Sequence, residues 1–162
     1  MIRKLIEQLE KRDDCNVYPV ATLPVLQNEK HELPQDLLEF YEVCGGVELF
    51  TEADFRIRIV PPEKFVLANP VIVGELCAYD HLSSNWYIIG EYGGEYITID
   101  LWKSRLGRCY DSFFDRHGSV GNCDIVARSF TELIIHLIDN GGKSLYWTED
   151  DFEYLGDAYD DC

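Results

Sequence analysis

The run from Trp86 to Trp102, WYIIGEYGGEYITIDLW, constrains the fold more than any other stretch of the chain. Two β-rich segments flank Gly93-Gly94. A two-residue glycine loop suits the tight hairpin turn, whose central residues take positive φ. With those glycines as the turn, Gly90 faces Ile97, Ile88 pairs with Ile99, and Trp86 pairs with Leu101. These six residues then share a core-facing side. Tyr87, Ile89, Glu91, Tyr96, Thr98 and Asp100 share the other side, which is partly aromatic and partly acidic.

A hairpin needs further strands or a helix layer to be stable. FRIRIV, Phe55 to Val60, supplies one by strict alternation: Phe55, Ile57 and Ile59 on one face, Arg56 and Arg58 on the other. Pro61 and Pro62 end it and start a short helical turn. NPVIVGELCAYD reads as a short extended segment broken at Gly74. GRCYDSFF adds a strand over Arg108–Asp111 after a turn at Leu106-Gly107, and CDIVA is a further short one.

Helices bracket these strands. Ile2, Leu5, Ile6 and Leu9 sit at i, i+3, i+4 and i+7, which predicts an amphipathic helix over residues 2–12. Residues 13–32, with Pro19 and Pro24, read mostly as loop. LPQDLLEFYEVCGG, Leu33 to Gly46, starts a helix at Pro34, whose missing N–H costs nothing there. Asp36 lies near the positive end of the helix dipole. Gly45 is expected to take the left-handed conformation that stops this helix, and Gly46 to turn the chain into a strand. In SFTELIIHLIDNGG, Ser129 and Glu132 have capping-box spacing, and Phe130, Leu133, Ile134, Leu137 and Ile138 repeat at 3.6 residues. Asn140-Gly141 closes that helix. Strands in sequence with helices at the ends predict an α+β fold, an antiparallel sheet flanked by helices.

At 162 residues the chain suits one domain. Thirty Asp and Glu against fourteen Lys and Arg leave a formal charge of −16. Such a surface repels nucleic-acid phosphates and anionic membranes and attracts basic partners. Seven acids follow Thr148 with no base among them, interleaved with Phe152, Tyr154, Leu155 and Tyr159. The expected division is a domain over residues 1–148 and an acidic C-terminal tail over 149–162. The start, MIRKLIEQLEKR, has no apolar h-region, and no stretch approaches the roughly 18 apolar residues of a membrane span. Six cysteines, none at CxxC spacing, fit a cytoplasmic protein with mostly buried thiols and an exposed Cys162.

The residues offer little for catalysis. No phosphate-loop pattern occurs. Cys77 with Asp80 and His81, or Cys109 with His117 and Cys123, are the best local metal candidates, and neither has compact zinc spacing, so no metal and no cofactor is expected. Six cysteines and four histidines allow Cys–His pairs by chance, and thirty acids guarantee carboxylate pairs. What remains is a protein-binding domain. Its candidate contacts are Tyr87, Glu91, Tyr96 and Asp100 on the hairpin, with Asp150, Asp151, Glu153 and Tyr154 in the tail: tyrosines as anchors, acids as mimics of phosphate charge.

Read in order, LPQDLLEFYEVCGG, the GEL of Gly74–Leu76, WYIIGEYGGEYITIDL, GRCY and VARSFTELIIHLI resemble the SUKH (Smi/Knr-like) superfamily. That superfamily includes bacterial immunity proteins and fungal cell-wall synthesis regulators. The resemblance runs from about Leu33 to Ile138. It implies an α+β fold, no catalysis, and binding that neutralises a cognate toxin, often a nuclease or deaminase. The alternatives it leaves are a regulatory scaffold, or a small-ligand domain. An acidic immunity protein would suit a basic toxin cleft. Cys44 stands where the family usually has Asn, so Gly45 is expected to carry the turn alone.

Overall fold

The hairpin forms as expected at its tip and departs from expectation a few residues away. In the computed structural model, which describes residues 1–76 and 81–160, strands β4 (Trp86–Tyr92) and β5 (Glu95–Asp100) pair across Gly93 (φ 52°) and Gly94 (φ 86°). Tyr92 faces Glu95, Glu91 faces Tyr96, and Gly90 faces Ile97. A bulge between Ile88 and Gly90 then shifts the register by one. Ile88 lies opposite Thr98, Tyr87 opposite Ile99, and Trp86 opposite Asp100, so the expected Ile88–Ile99 and Trp86–Leu101 pairs do not form. One extra residue in a strand exchanges the two faces beyond it.

Five short strands extend the hairpin: β1 (Asn16–Val17), β2 (Val47–Leu49), β3 (Ile57–Ile59), β6 (Cys109–Asp111) and β7 (Ile125–Ala127). The sheet runs β1 to β7 in chain order, every neighbouring pair antiparallel. With helices α1 (Ile2–Glu10), α2 (Gln35–Val43), α3 (Ala68–Ile72) and α4 (Phe130–Asn140), this is the expected α+β fold. The segment around Val71, expected to be extended, is instead α3. Pro70 falls in its first turn, where a missing N–H is tolerated.

The helix layer covers one side of β4. Tyr87 stacks on Phe65 (5.1 Å, 13°), Phe65 meets Tyr41 of α2, and Phe40 of α2 meets Phe130 of α4 (4.9 Å). Asp36 joins the starts of the two helices: its carboxylate accepts from Thr131 N–H (2.8 Å) and Thr131 Oγ1 (2.9 Å). Half of the capping box forms, Ser129 Oγ accepting from Glu132 N–H at 3.1 Å, while the Glu132 carboxylate accepts from Arg128 N–H (2.7 Å). Ile2, Ile6 and Leu9 of α1 are buried, each burial worth about 1.5–3 kcal/mol.

The corner after α2 differs from its expected geometry. Gly46, not Gly45, takes the positive φ (116°). Gly45 is required for a different reason: a Cβ there would lie 2.4 Å from Pro19 O. Its N–H donates to Tyr18 O at 3.0 Å, tying the corner to the 13–32 segment. Cys44 is extended (φ −155°) and fully buried, so the left-handed tolerance of an Asn is not called on.

The second side of the sheet is covered only in part. Trp86 packs there against Tyr110 (4.3 Å), His117 (5.6 Å) and Tyr159 (6.1 Å). The acidic C-terminal segment is fastened beside β7. Ala158 N–H donates to Cys123 O, Ile125 N–H donates to Gly156 O, and the buried Asp157 accepts from the N–H groups of Gly121, Cys123 and Tyr159.

Candidate partner-binding surface

The part of the second side left open lies over β2, β3 and the tip of the hairpin. Along β2 and β3 the alternation is clean: Val47, Leu49, Ile57 and Ile59 are buried, while Glu48 and Arg58 are half-buried. Glu48 faces Arg58, and Arg58 faces Glu91. Arg58 pairs with Glu91, and Glu48 accepts from the Tyr18 hydroxyl, which holds the Glu48 carboxyl below its ordinary range. This ladder floors an open cleft of about 700 Å³ that also includes Asp54, Arg56 and Glu95.

A second groove, about 550 Å³, runs between α4 and the acidic segment. Glu132 and Asp139 of α4 contribute from one wall, Glu149, Asp151 and Glu153 from the other, and among the described residues Arg128 and Lys143 are the only Arg or Lys in its lining. Its floor is aromatic: His136 stacks on Tyr146 (4.7 Å, 23°), and Phe152 meets both rings edge-on. Five carboxylates over an aromatic floor suit a basic segment carrying an apolar or cationic side chain.

The eight expected contact residues separate into three groups. Asp151 and Glu153 line the acidic groove, and Asp150 and Tyr154 are exposed beside it in the chain. Glu91 lines the sheet cleft, while Tyr96 is half-buried against the core. Tyr87 and Asp100 have no exposed surface at all. The reading of the hairpin's second face as open surface is therefore corrected. Both sides of β4 are covered from Trp86 to Gly90, and the bulge turns Asp100 inward beside Trp86. The Tyr87 hydroxyl is taken up by Gln27 N–H (3.2 Å) and lies 2.9 Å from His31 Nδ1. Asp100 accepts from Trp86 Nε1 (3.1 Å), Trp102 N–H (2.9 Å), Arg105 Nε (2.8 Å) and the Tyr110 hydroxyl (2.6 Å). The two surfaces share no lining residue, so the structure does not merge hairpin and tail into one site. Glu132 and Asp139 were missed. Their signal was the polar stripe of α4, Glu132, His136 and Asp139 at i, i+4 and i+7, opposite its apolar one.

Groups that carry chemistry elsewhere are held inside. Cys109 Sγ donates to Gly107 O, Cys123 Sγ to Asp111 O, and His117 Nε2 lies 2.6 Å from Asn69 Oδ1, each committed to a different partner. Among the described residues no three His, Cys, Asp or Glu side chains converge as a metal site needs. Cys77 and Asp80 of the other metal candidate, and Cys162, lie outside the described residues. Burial pushes the Cys44 thiol up to about 11 and the Cys123 thiol up to about 12. One Ser–His pair is in reach, His81 Nδ1 to Ser83 Oγ at 2.6 Å, but Ser83 is 1 % exposed and also bonds Asn69. Among the described residues no helix is long and apolar enough to cross a membrane.

Known proteins give this architecture a context. The chain is 54 % identical to the immunity protein YokJ of Bacillus subtilis (strain 168) over 160 residues, covering 98 % of this chain and 96 % of that protein. No solved structure matches the chain at a significant level. The model of the SMI1 / KNR4 family (SUKH-1) matches residues 25–136, from the loop before α2 to His136 of α4. With α2 and its corner, strands β2 to β7 and the first part of α4 inside that match, the chain belongs to the SMI1 / KNR4 family (SUKH-1).

Proposed function

We propose that this protein is an immunity protein, acting in the cytoplasm, that neutralises a cognate toxin by binding it and without catalysis. The observation that carries the reading is the near full-length likeness to an immunity protein, which extends beyond the family match into both ends of the chain. The acidic groove supports it physically. A formal charge of −16 and five carboxylates in one groove favour a basic protein partner, such as a domain that itself binds nucleic acid, over nucleic acid itself. The contact surface we assign comprises Asp150, Asp151, Glu153 and Tyr154, extended by Glu132 and Asp139. Glu91 and Tyr96 belong to the second surface, at the hairpin tip. Raised thiol pKa values and a buried Ser83 argue for binding over chemistry.

The test is protection. Cells that stop growing when they produce a candidate toxin domain, sought among the neighbouring genes, should survive when the chain is co-produced. Growth arrest in both cases would remove the immunity reading.

A further inference from the structure

The C-terminal segment forms one wall of the acidic groove, and its two ends are fastened differently. The near end is rooted in the core: the Tyr146 hydroxyl donates to Val126 O, and Trp147 Nε1 donates to the buried Asp111 carboxylate at 3.1 Å. The far end is fixed at the edge of β7, where Asp157 lies opposite Asp124 as a single antiparallel bridge. Ala158 N–H donates to Cys123 O (2.8 Å), and Ile125 N–H donates to Gly156 O (2.9 Å). The Asp157 carboxylate, 3 % exposed, accepts from Cys123 N–H (2.8 Å) and Gly121 N–H (3.1 Å).

Electrostatics works against that attachment. Residues 149–160 carry Glu149, Asp150, Asp151, Glu153, Asp157 and Asp160, and no Lys, Arg or His. Glu149, Asp151 and Glu153 share the groove with Glu132 and Asp139. Arg128 and Lys143 flank α4 in sequence, and Arg128 Nη1 is already drawn to Glu132 at 3.8 Å. Like charges this close repel, and more so at low salt, where the screening length is about 30 Å at 0.01 M against about 10 Å at 0.1 M. Apolar packing opposes the repulsion: Ala158 is buried, and Phe152 and Leu155 are part-buried against the core.

We infer that residues 149–160 are a strap that opens from the sheet edge as one unit, with Asp157 as its latch, and that a basic segment seated in the groove holds it shut. A unit joined by few bonds and opposed by its own charge opens at a smaller free-energy cost than the sheet. The hinge follows Trp147, because Tyr146 and Trp147 are anchored independently of Asp157. A cation held between Glu132 or Asp139 and the strap's Glu149, Asp151 or Glu153 touches both walls. It therefore binds the closed state better and shifts the equilibrium toward it. Asp157 is a positioning residue: it lies inside, and it sets where the carboxylates of the strap stand. The coupling to a basic partner rests on the binding reading above; the opening of the free chain does not.

The experiment is amide hydrogen exchange of the full chain followed by NMR. The N–H groups of Cys123, Ile125 and Ala158 report the latch; those of Val60 and Ile88, bonded to Ile89 O and Val66 O, report the sheet. The three latch amides should exchange together, at least about tenfold faster than the sheet pair, and should slow as salt rises from about 0.01 M to about 0.3 M. Asp157→Asn should speed them about tenfold and leave Val60 and Ile88 unchanged. Neutralising Glu149, Asp151 and Glu153 as Gln, Asn and Gln should slow them, an opposite sign that general damage to the fold does not produce. Tetra-arginine at about 1 mM should slow them relative to tetraglycine at equal ionic strength. The strap is overturned if the latch amides exchange as slowly as the sheet pair, if salt and the triple variant leave them unmoved, or if Asp157→Asn leaves them unmoved or speeds latch and sheet alike. An unmoved rate with tetra-arginine overturns the coupling to a basic partner. Each arm is read without a toxin, so loss of the strap and loss of the immunity reading are separate results.

Discussion

Trp86 and Asp100 face each other across the β4–β5 ladder, and the indole N–H donates to the carboxylate at 3.1 Å. That pairing exists because the bulge at Ile89 shifts the register by one residue. It makes Asp100 the hub that joins β4, β5, β6 and the turn carrying Arg105.

Asp100→Ala should be among the most damaging single changes. It leaves Arg105, the Tyr110 hydroxyl and the Trp86 N–H facing a void, with a buried guanidinium uncompensated. The expected loss is about 3–5 kcal/mol by chemical denaturation, with Asp100→Asn milder. A loss below about 1 kcal/mol would show that the network contributes little.

Acid should weaken the fold through His117. Burial first, and the His81 charge second, push its pKa down to about 4 from an ordinary value near 6.5. The unfolded chain therefore takes up a proton between pH 6.5 and 4 that the folded chain refuses, so stability present above pH 6.5 is lost as pH falls through that window. The full difference is about 3 kcal/mol. Asp124, raised chiefly by burial, contributes with the opposite sign in the acid range, so the measurement is the difference between the parent and His117→Gln. The variant should show the shallower slope; parallel profiles would contradict the assignment.

The two glycines most visible in the sequence should respond differently. Gly45→Ala puts a Cβ 2.4 Å from Pro19 O, a backbone atom, and should cost several kcal/mol in thermal or denaturant unfolding. Gly94→Ala at the hairpin tip meets nothing within 4 Å and should cost only the strain of its positive φ, about 1–2 kcal/mol. Equal costs would mean that the close approach at Pro19 is relieved by movement.

The sequence made the architecture legible where one local rule sufficed. The two-glycine turn, the Ser129–Glu132 cap and the alternation of β3 each predict their element from spacing alone. The hairpin's surface was not legible, because a single bulged residue decides which side Asp100 takes. Gly90 was the available sign, since a glycine inside a strand often marks a bulge. Nor does alternation reveal that loops and the C-terminal segment cover the side of β4 away from the helices. The Cys44-Gly45-Gly46 corner was read one residue out of place: close approach to Pro19, a tertiary contact, fixes Gly45, and only Gly46 is fixed by local geometry. The acidic groove was half legible. Its tail wall stands out in the charge pattern, while its α4 wall was hidden behind the stronger apolar stripe.

Neutralising Glu149, Asp151 and Glu153 together as Gln, Asn and Gln should slow association with the toxin domain about tenfold at low salt and flatten the salt dependence of the on-rate. Stopped-flow mixing measures both. An unchanged on-rate and salt slope would take the groove out of the contact surface.

The central claim is neutralisation by stoichiometric binding. The direct measurement mixes the purified chain with the toxin domain it protects against and follows complex mass and toxin activity as the ratio is varied. The account predicts inhibition that saturates when the chain matches the toxin, a stable complex, and full toxin activity once the two are separated. No complex, or permanent loss of toxin activity at a small fraction of matching chain, would contradict it.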